Sequence, residues 1–283
     1  MDRLTYSKIK QQTLATDALN TEATTQLLGN YQAAERRLLL FDYDGTLVRF
    51  HANPQRAQPD AELLNLLRAL TDDPRNRVVV ISGRDRTSLE NWLGELPLDF
   101  IAEHGVWLRR HGEDWHLFQE ELQATWKREF RPLLEQYVRR TAGSLIEEKD
   151  YSLVWHYRRA DAGLAALRAR ELLSHLNFMT SNTGLQVLEG NKVLEIKPAG
   201  LHKGAAAARW LGTEHPDFIL AMGDDRTDED LFEVLPPTAY TLKVGSAPRS
   251  LARYIIPGPA EVRQLLHRLH QADVVAPLVP ASA

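Results

Sequence analysis

Short apolar runs recur along this chain, LLLF (38–41), VVVI (78–81), FIA (100–102) and FILAM (218–222), and each ends in polar or turn-forming residues. Unbroken apolar runs, as opposed to alternating ones, predict strands buried on both faces, as in a parallel sheet. Between them, AELLNLLRAL (61–70) and AAAARWL (205–211) carry apolar residues at helical spacing. Strands alternating with helices imply an α/β fold, a parallel sheet with helices on both faces.

The series breaks between FIA and FILAM, and the intervening stretch of about 95 residues has a different rhythm. GVWLRRHGEDWHLF (105–118) reads as a hairpin turning at Gly112 to Asp114. TWKREFRPLLEQYVRR (125–140) has helical spacing, SLIEEKDYSLVWHYR (144–158) reads as a strand pair, ADAGLAALRARELLSHL (160–176) as a second helix and LQVLEGNKVLEIKP (185–198) as a third strand pair. Two helices against antiparallel strands make a compact α+β insert. Ahead of the first run, TEATTQLLGNYQAAERR (21–37) predicts one amphipathic helix starting at Thr21, with Leu27, Leu28, Tyr31 and Ala34 on one face. The expected organisation is a lead-in helix over 1–36, a core over 37–105 and 200–270, the insert over 106–199, and a loose tail over 271–283, where Pro and small residues accumulate.

Composition narrows the function classes. The 283 residues are 43% hydrophobic and 25% charged with a formal charge of -4, so no basic footprint for nucleic acid or an anionic membrane is present. The chain has no cysteine, which removes disulfides, thiolate nucleophiles and cysteine-bound metals. The opening MDRLTYSKIKQQ lacks the apolar core of a secretory signal, and no run is long enough to span a bilayer. A soluble cytoplasmic protein is the expectation.

In a parallel sheet the carboxyl ends of the strands line the ligand crevice. There LLLF delivers Asp42 and Asp44, VVVI delivers Ser82 and Gly83, FILAMG delivers Asp224 and Asp225, and Lys203 stands where a helix begins. Asp42 and Asp224, brought together in a desolvated crevice, repel unless a cation lies between them. An oxygen-only site with few carboxylates suits Mg²⁺. Each residue also has a plain structural reading. DYDGT (42–46) can be a solvated turn, although not a calcium loop, because Gly45 falls at the fourth loop position and Asn53 at the twelfth. Asp228, Glu229 and Asp230 follow Thr227, a candidate helix cap, and suit the helix dipole; Ser82 can be a loop serine. Lys203 is the more telling residue, since a cation in a first helical turn opposes the dipole and calls for an anionic partner.

Together these groups describe phosphoryl transfer. Asp42 would attack phosphorus and become an aspartyl-phosphate. Thr46, Ser82, Gly83 and Lys203 would hold the phosphoryl oxygens. Asp44 would protonate the leaving oxygen and then activate water. The expected metal set is Asp42, Asp44 and Asp224, with Asp225 and Asp228 behind it.

In this order, DYDGT (42–46), Ser82, Lys203 and GDDRTDED (223–230) resemble the four motifs of the haloacid dehalogenase-like phosphatases. The resemblance runs from about Arg37 to His270 and implies a Rossmann-like core, Mg²⁺ dependence and an α/β cap closing over a small substrate. SGRD (82–85), AEHG (102–105), EEKDYSLVWHYRRAD (147–161) and EGNKVLEIKPAGLHKG (189–204) look like signatures of its trehalose-6-phosphate phosphatase branch. That likeness implies trehalose 6-phosphate as substrate, with Glu147, Arg158, Lys192 and Glu195 on the glucose hydroxyls; as bare charges on hairpins these could equally form a solvated face. One departure stands out, because many members carry a basic residue directly after the cap glycine, whereas Asn191 follows Gly190 here and Lys192 comes next. Which of the two meets the sugar stays open. LNTEATTQLLGNYQAAERRLLLFDYDGTLV (19–48) is similar to the junction of fused proteins in which a trehalose-6-phosphate synthase precedes the phosphatase, so a synthase domain or subunit is an implied partner. Other readings remain open here: a different sugar phosphatase of the sucrose-phosphate type, a phosphomutase, or a catalytically silent domain regulating a synthase.

Overall fold

A computed structural model of the chain describes residues 16–51, 53–246 and 249–275. Its centre is a nine-stranded sheet. In chain order the strands are β1 (Asp17–Ala18), β2 (Arg37–Asp42), β3 (Asn76–Ile81), β4 (Asp99–Ala102), β5 (Trp107–Arg109) and β6 (His116–Leu117), then β11 (Phe218–Gly223), β12 (Tyr240–Val244) and β13 (Tyr254–Ile256). Their spatial order is β1-β13-β12-β11-β2-β3-β4-β5-β6. Every pairing from β1 to β4 is parallel, and the β5–β6 hairpin adds on antiparallel.

The apolar runs explain this sheet directly. In β2 every residue is buried, because Leu39 and Phe41 pack in a core on one face while Leu38 and Leu40 pack in a second core on the other. Helices α1 (Thr21–Ala33), α2 (Ala61–Thr71) and α8 (Pro259–Val275) lie with the first face. Helices α6 (Lys203–Glu214) and α7 (Thr227–Val234) cover the second, through Trp210 and Phe232. Burial of this kind contributes about 25 cal/mol per Å² of apolar surface. Helix α1 begins at Thr21 as expected, with Asn20 accepting from the Ala23 amide. Tyr31 is fully buried and lies under the buried Arg37 guanidinium, 3.8 Å from ring centre to carbon.

The second sheet has four antiparallel strands in the order β7-β8-β10-β9. They are β7 (Leu145–Glu148), β8 (Leu153–His156), β9 (Leu185–Gly190) and β10 (Val193–Pro198). One face packs on helices α4 (Lys127–Arg140) and α5 (Ala162–Thr180) through Phe130, Leu134, Trp155, Leu172, Leu194 and Ile196. The other face carries Glu147, Val154, Glu195 and Leu188, aligned across the strands by register, with Lys197 opposite Gln186 two residues on. Helix α3 (Arg86–Leu93), capped by Asp85 on the Ser88 amide, completes the chain's α-helices among the described residues.

Three placements differ from the sequence expectation. The hairpin at Gly112 belongs to the edge of the nine-stranded sheet, since Trp107 to Arg109 pair with Phe100 to Ala102. Strands β1, β12 and β13 were not expected; Lys243 interrupts the apolar run of β12, donating to the Asp225 carbonyl at 2.7 Å. Helix α8 runs to Val275, into the stretch expected to be loose. Residues 1–15 of the lead-in and 276–283 of the tail lie outside the described residues.

Candidate active site

The carboxyl ends of β2, β3 and β11 and the start of α6 meet at one crevice. Asp42, the last residue of β2, is 4% exposed. Lys203, the first residue of α6, donates from Nζ to Asp42 Oδ1 at 2.6 Å and to Asp228 Oδ1 at 2.8 Å. This is the anionic partner that its unfavourable place on the helix dipole demands. Burial works against the charge on Lys203, but Asp228 and Asp42 hold its proton well above the usual lysine range. Asp42 Oδ2 is left buried without a partner.

Asp42, Asp224 and Asp228 each offer a carboxylate oxygen within 4.8 Å of the others. Burial pushes Asp42 up to about 8 against the pull of Lys203, with Asp224 adding to the rise. Burial likewise pushes Asp224 up to about 7, reinforced by Asp225 and Asp228. A hard divalent cation between these acids would relieve their crowding and partner the free Asp42 Oδ2. The donor set therefore fits Mg²⁺, and the trio differs from the expected one. Asp228 shares this carboxylate cluster, while the Asp44 carboxylate, expected among the ligands, accepts from Arg84 Nε and Nη2, both at 2.7 Å. Gly45 makes the approach of β2 and β11 possible, because its φ is 87° and any Cβ there would strike the Asp224 carboxylate.

The loop residues divide their roles. Asp225, not Thr227, organises the start of α7, accepting from the Thr227 amide at 2.8 Å and hydroxyl at 2.6 Å. Burial alone would raise Asp225, but Lys203 and the Thr227 bond hold it at about 2. Asp228 is no solvated first-turn acid either, since it is fully buried and accepts from the Asp225 amide at 3.0 Å. Thr46 and Ser82 are buried beside the crevice. Thr46 Oγ1 has no partner, and Ser82 Oγ accepts from the Arg84 amide at 3.1 Å.

The polar face of the four-stranded sheet roofs a cavity whose floor includes Asp44, Gly83, Arg84 and Asp225. Of the four expected sugar contacts, Glu147, Arg158 and Glu195 line it and Lys192 does not; Asn191 does. Glu147 pairs with His156 at 2.7 Å. Lys149, to which the sequence reading gave no role, bridges from Nζ to the Gly83 carbonyl at 2.8 Å and to Glu195 at 3.3 Å. His104 meets Glu195 at 3.2 Å, and Glu103 accepts from the Asp150 and Tyr151 amides at 3.2 and 3.0 Å. Lys149, His104 and Arg84 all sit inside the quoted signatures EEKD, AEHG and SGRD, so the motifs flagged the positions without disclosing their partners.

With this geometry in hand, comparison with known proteins is specific. Residues 40–252 match the sequence profile described as Trehalose-phosphatase. A bifunctional trehalose-6-phosphate synthase/phosphatase of Thermoproteus tenax is 41% identical over 86% of this chain and 33% of its own length. The chain thus spans about a third of the length of the curated relatives it matches. The trehalose-6-phosphate phosphatase C-terminal domain of C. albicans superposes with a TM-score of 0.85 at 32% identity, covering 90% of this chain and 98% of that one. A haloacid dehalogenase-like hydrolase from Bacteroides thetaiotaomicron shares the fold, at a TM-score of 0.58 and 16% identity over 83% of this chain and 99% of the other. On the profile match and the near-complete coverage of the C. albicans domain, this chain belongs to the trehalose-phosphatase family.

Proposed function

We propose that the chain is a Mg²⁺-dependent phosphatase that hydrolyses trehalose 6-phosphate to trehalose and phosphate through an aspartyl-phosphate on Asp42. The observation that carries this reading is the buried, unpartnered Oδ2 of Asp42, at a strand end where Lys203 already neutralises the other oxygen. A nucleophile so held is oriented without being blocked. Lys203, Thr46, Ser82 and Gly83 would supply the donors that the transferring oxygens need. Asp44 must turn from Arg84 to give a proton to the departing sugar oxygen and later to take one from water. When bound by Asp42, Asp224 and Asp228, Mg²⁺ would supply charge neutralisation at the phosphoryl group.

The insert beyond the β5–β6 hairpin acts as a cap. Glu147, Arg158 and Glu195, with Lys149 and Asn191, present charged and polar groups over the crevice, which suits a polyhydroxylated ligand better than an apolar pocket does. Trehalose is favoured among sugars because the matched relatives are named for it. The T. tenax relative is named for both activities, so the chain is read as working beside a synthase, fused or docked. Sedimentation with such a synthase showing no association at micromolar concentration removes the docked form.

The test is phosphate release from a panel of phosphorylated sugars at equal concentration. Trehalose 6-phosphate is the preferred substrate, activity vanishes with a chelator, and Asp42→Asn loses at least about 10⁴-fold. Full activity in Asp42→Asn sinks the mechanism, preference for sucrose phosphate sinks the substrate, an isomeric sugar phosphate as product points to a mutase, and no turnover points to a silent regulatory domain.

A further inference from the structure

Lys197 is the other buried lysine of this region, and nothing in the mechanism above uses it. It follows Glu195 on the same face of β10, two residues on, and is 1% exposed. Its Nζ has no hydrogen-bond partner. The nearby carboxylate Glu195 is already engaged, accepting from Lys149 at 3.3 Å and facing His104 at 3.2 Å. Burial pushes the Lys197 ammonium down to about 8 despite the attraction of Glu195. A buried cation without a partner is a costly feature for a fold to keep.

A small cavity of about 160 Å³ lies against it, room for roughly five waters at about 30 Å³ each. Besides Lys197 its wall includes His104, Gln186, Leu188, Thr227 and Asp230. His104, Leu188 and Thr227 are also walls of the larger cavity under the cap sheet, so the two spaces are neighbours across one layer of side chains. Asp230 is the carboxylate on the wall; its side chain is half-exposed and stands 4.0 Å from His202.

His104 supplies a second unpartnered atom, Nδ1, also buried. With Nε2 facing the Glu195 carboxylate, the ring proton belongs on Nε2 and Nδ1 is an acceptor. Burial keeps the ring below the usual imidazole value, in the neutral form. Two walls of the cavity, Lys197 and His104, thus each keep one buried polar atom idle, a cationic donor and a neutral acceptor. An oxyanion with no proton can satisfy only the lysine. Hydrogen phosphate can satisfy both, accepting from Lys197 and donating its P–O–H to Nδ1.

We propose that this cavity is a second anion site, built for hydrogen phosphate, which holds the released product apart from the substrate cavity. The choice of phosphate as occupant rests on the phosphatase reading; the existence of a Lys197-dependent anion site does not. The site would let the sugar product leave through the larger cavity while phosphate waits in the smaller one.

The experiment is calorimetric titration of the Mg²⁺-free protein with orthophosphate and, separately, sulfate. One phosphate per chain binds, sulfate binds at least tenfold more weakly, Lys197→Met weakens phosphate at least tenfold and Lys197→Arg retains it. Wild-type phosphate affinity in a folded Lys197→Met variant overturns the proposal, and equal binding of sulfate overturns the hydrogen-phosphate geometry. Should Lys197→Met not fold, the wild-type chain decides: phosphate, but not sulfate, protects the Lys197 amine from acylation as read by peptide mass spectrometry. Unchanged labelling means the cavity holds water only, and the proposal fails. An intact anion site with no phosphate release from trehalose 6-phosphate would instead count against the phosphatase reading alone.

Discussion

The crevice and the cap face both gather charged side chains but settle them differently. At the crevice most of the charged groups are held by side chains of this region: Lys203 holds Asp42 and Asp228 and Arg84 clamps Asp44 from distant parts of the chain, and Asp225 is tied to the neighbouring Thr227. On the cap face Glu147, Lys149 and Glu195 are paired too, yet all three line an open cavity. Lys197 beneath them has no hydrogen-bond partner. The crevice keeps an excess of carboxylate over Lys203, with Asp42 Oδ2 unpartnered, and so leaves room for a cation and a phosphoryl group. The cap face leaves capacity for a ligand to complete, which is what selects among ligands.

The sharpest way to break this comparison is to remove the crevice's cation. Lys203→Met leaves Asp42 and Asp228 buried as neighbours without compensation. Stability falls by about 3–5 kcal/mol, the usual consequence of orphaning a buried charge, and phosphate release drops by at least about 10⁴-fold. Adding Asp228→Asn to Lys203→Met recovers part of the melting temperature and none of the activity. A stable single variant would mean that the crevice acids are already neutral and that the lysine holds nothing together.

Glu103 lies between the two regions, reaching from the end of β4 to the amides of the β7–β8 loop. Burial lifts its carboxyl from 4.5 to about 7 despite Lys149. Between those values the unfolded chain has released its proton and the folded chain still holds one. The folded state then binds more protons, so this group's contribution favours folding below about pH 4.5 and is lost as pH rises through about 7. The loss is on the order of 3 kcal/mol. In Glu103→Gln the melting temperature falls less across that window than in the wild type. Parallel curves for the two proteins would show that the junction carries no titrating charge.

The cap face is tested by separating sugar recognition from chemistry. Glu147→Gln lowers kcat/KM for trehalose 6-phosphate by about 10–100-fold, or roughly 1.4–2.7 kcal/mol, the range for a charge-assisted hydrogen bond. It leaves hydrolysis of p-nitrophenyl phosphate nearly unchanged, because that ester does not need the cap. Equal losses on both esters would move Glu147 into the chemistry of the crevice.

The same contrast explains what could be read from sequence. The crevice was legible because apolar runs mark strand ends, and strand ends in a parallel sheet converge by geometry. Asp42, Ser82 and Asp224 needed only that rule, and Lys203 betrayed itself by opposing a helix dipole. The partner of each oxygen was not legible. Asp44 was expected among the metal ligands with Asp42, and nothing local announces that Arg84, 40 residues on, holds its carboxylate. Asp228 was placed behind the metal set, with helix design as the plain alternative because its place on α7 is locally sufficient; its partner Lys203 lies 25 residues back. On the cap face, Lys149 and Lys197 differ only in what surrounds them, and periodicity conveys nothing about that. The alternation VLEIKP does reveal that Glu195 and Lys197 share a face away from Leu194 and Ile196.

The smallest effect concerns the turn between β9 and β10, where Asn191 and Lys192 were rival sugar contacts. Asn191 lines the cavity, and its carbonyl accepts from Arg158 at 2.6 Å. Lys192 lies outside the lining, with its ammonium 6.0 Å from the Tyr157 ring and its backbone at a φ of 66°. A left-handed lysine bears a strain of about 1 kcal/mol that glycine does not. Lys192→Gly therefore raises stability by up to about 1 kcal/mol and leaves KM for trehalose 6-phosphate within about twofold. Asn191→Ala raises KM by about three- to tenfold with no gain in stability. If Lys192→Gly weakens substrate binding more than Asn191→Ala does, the lysine swings into the cavity on binding. The cap face would then owe part of its selectivity to a residue that the unliganded geometry leaves outside.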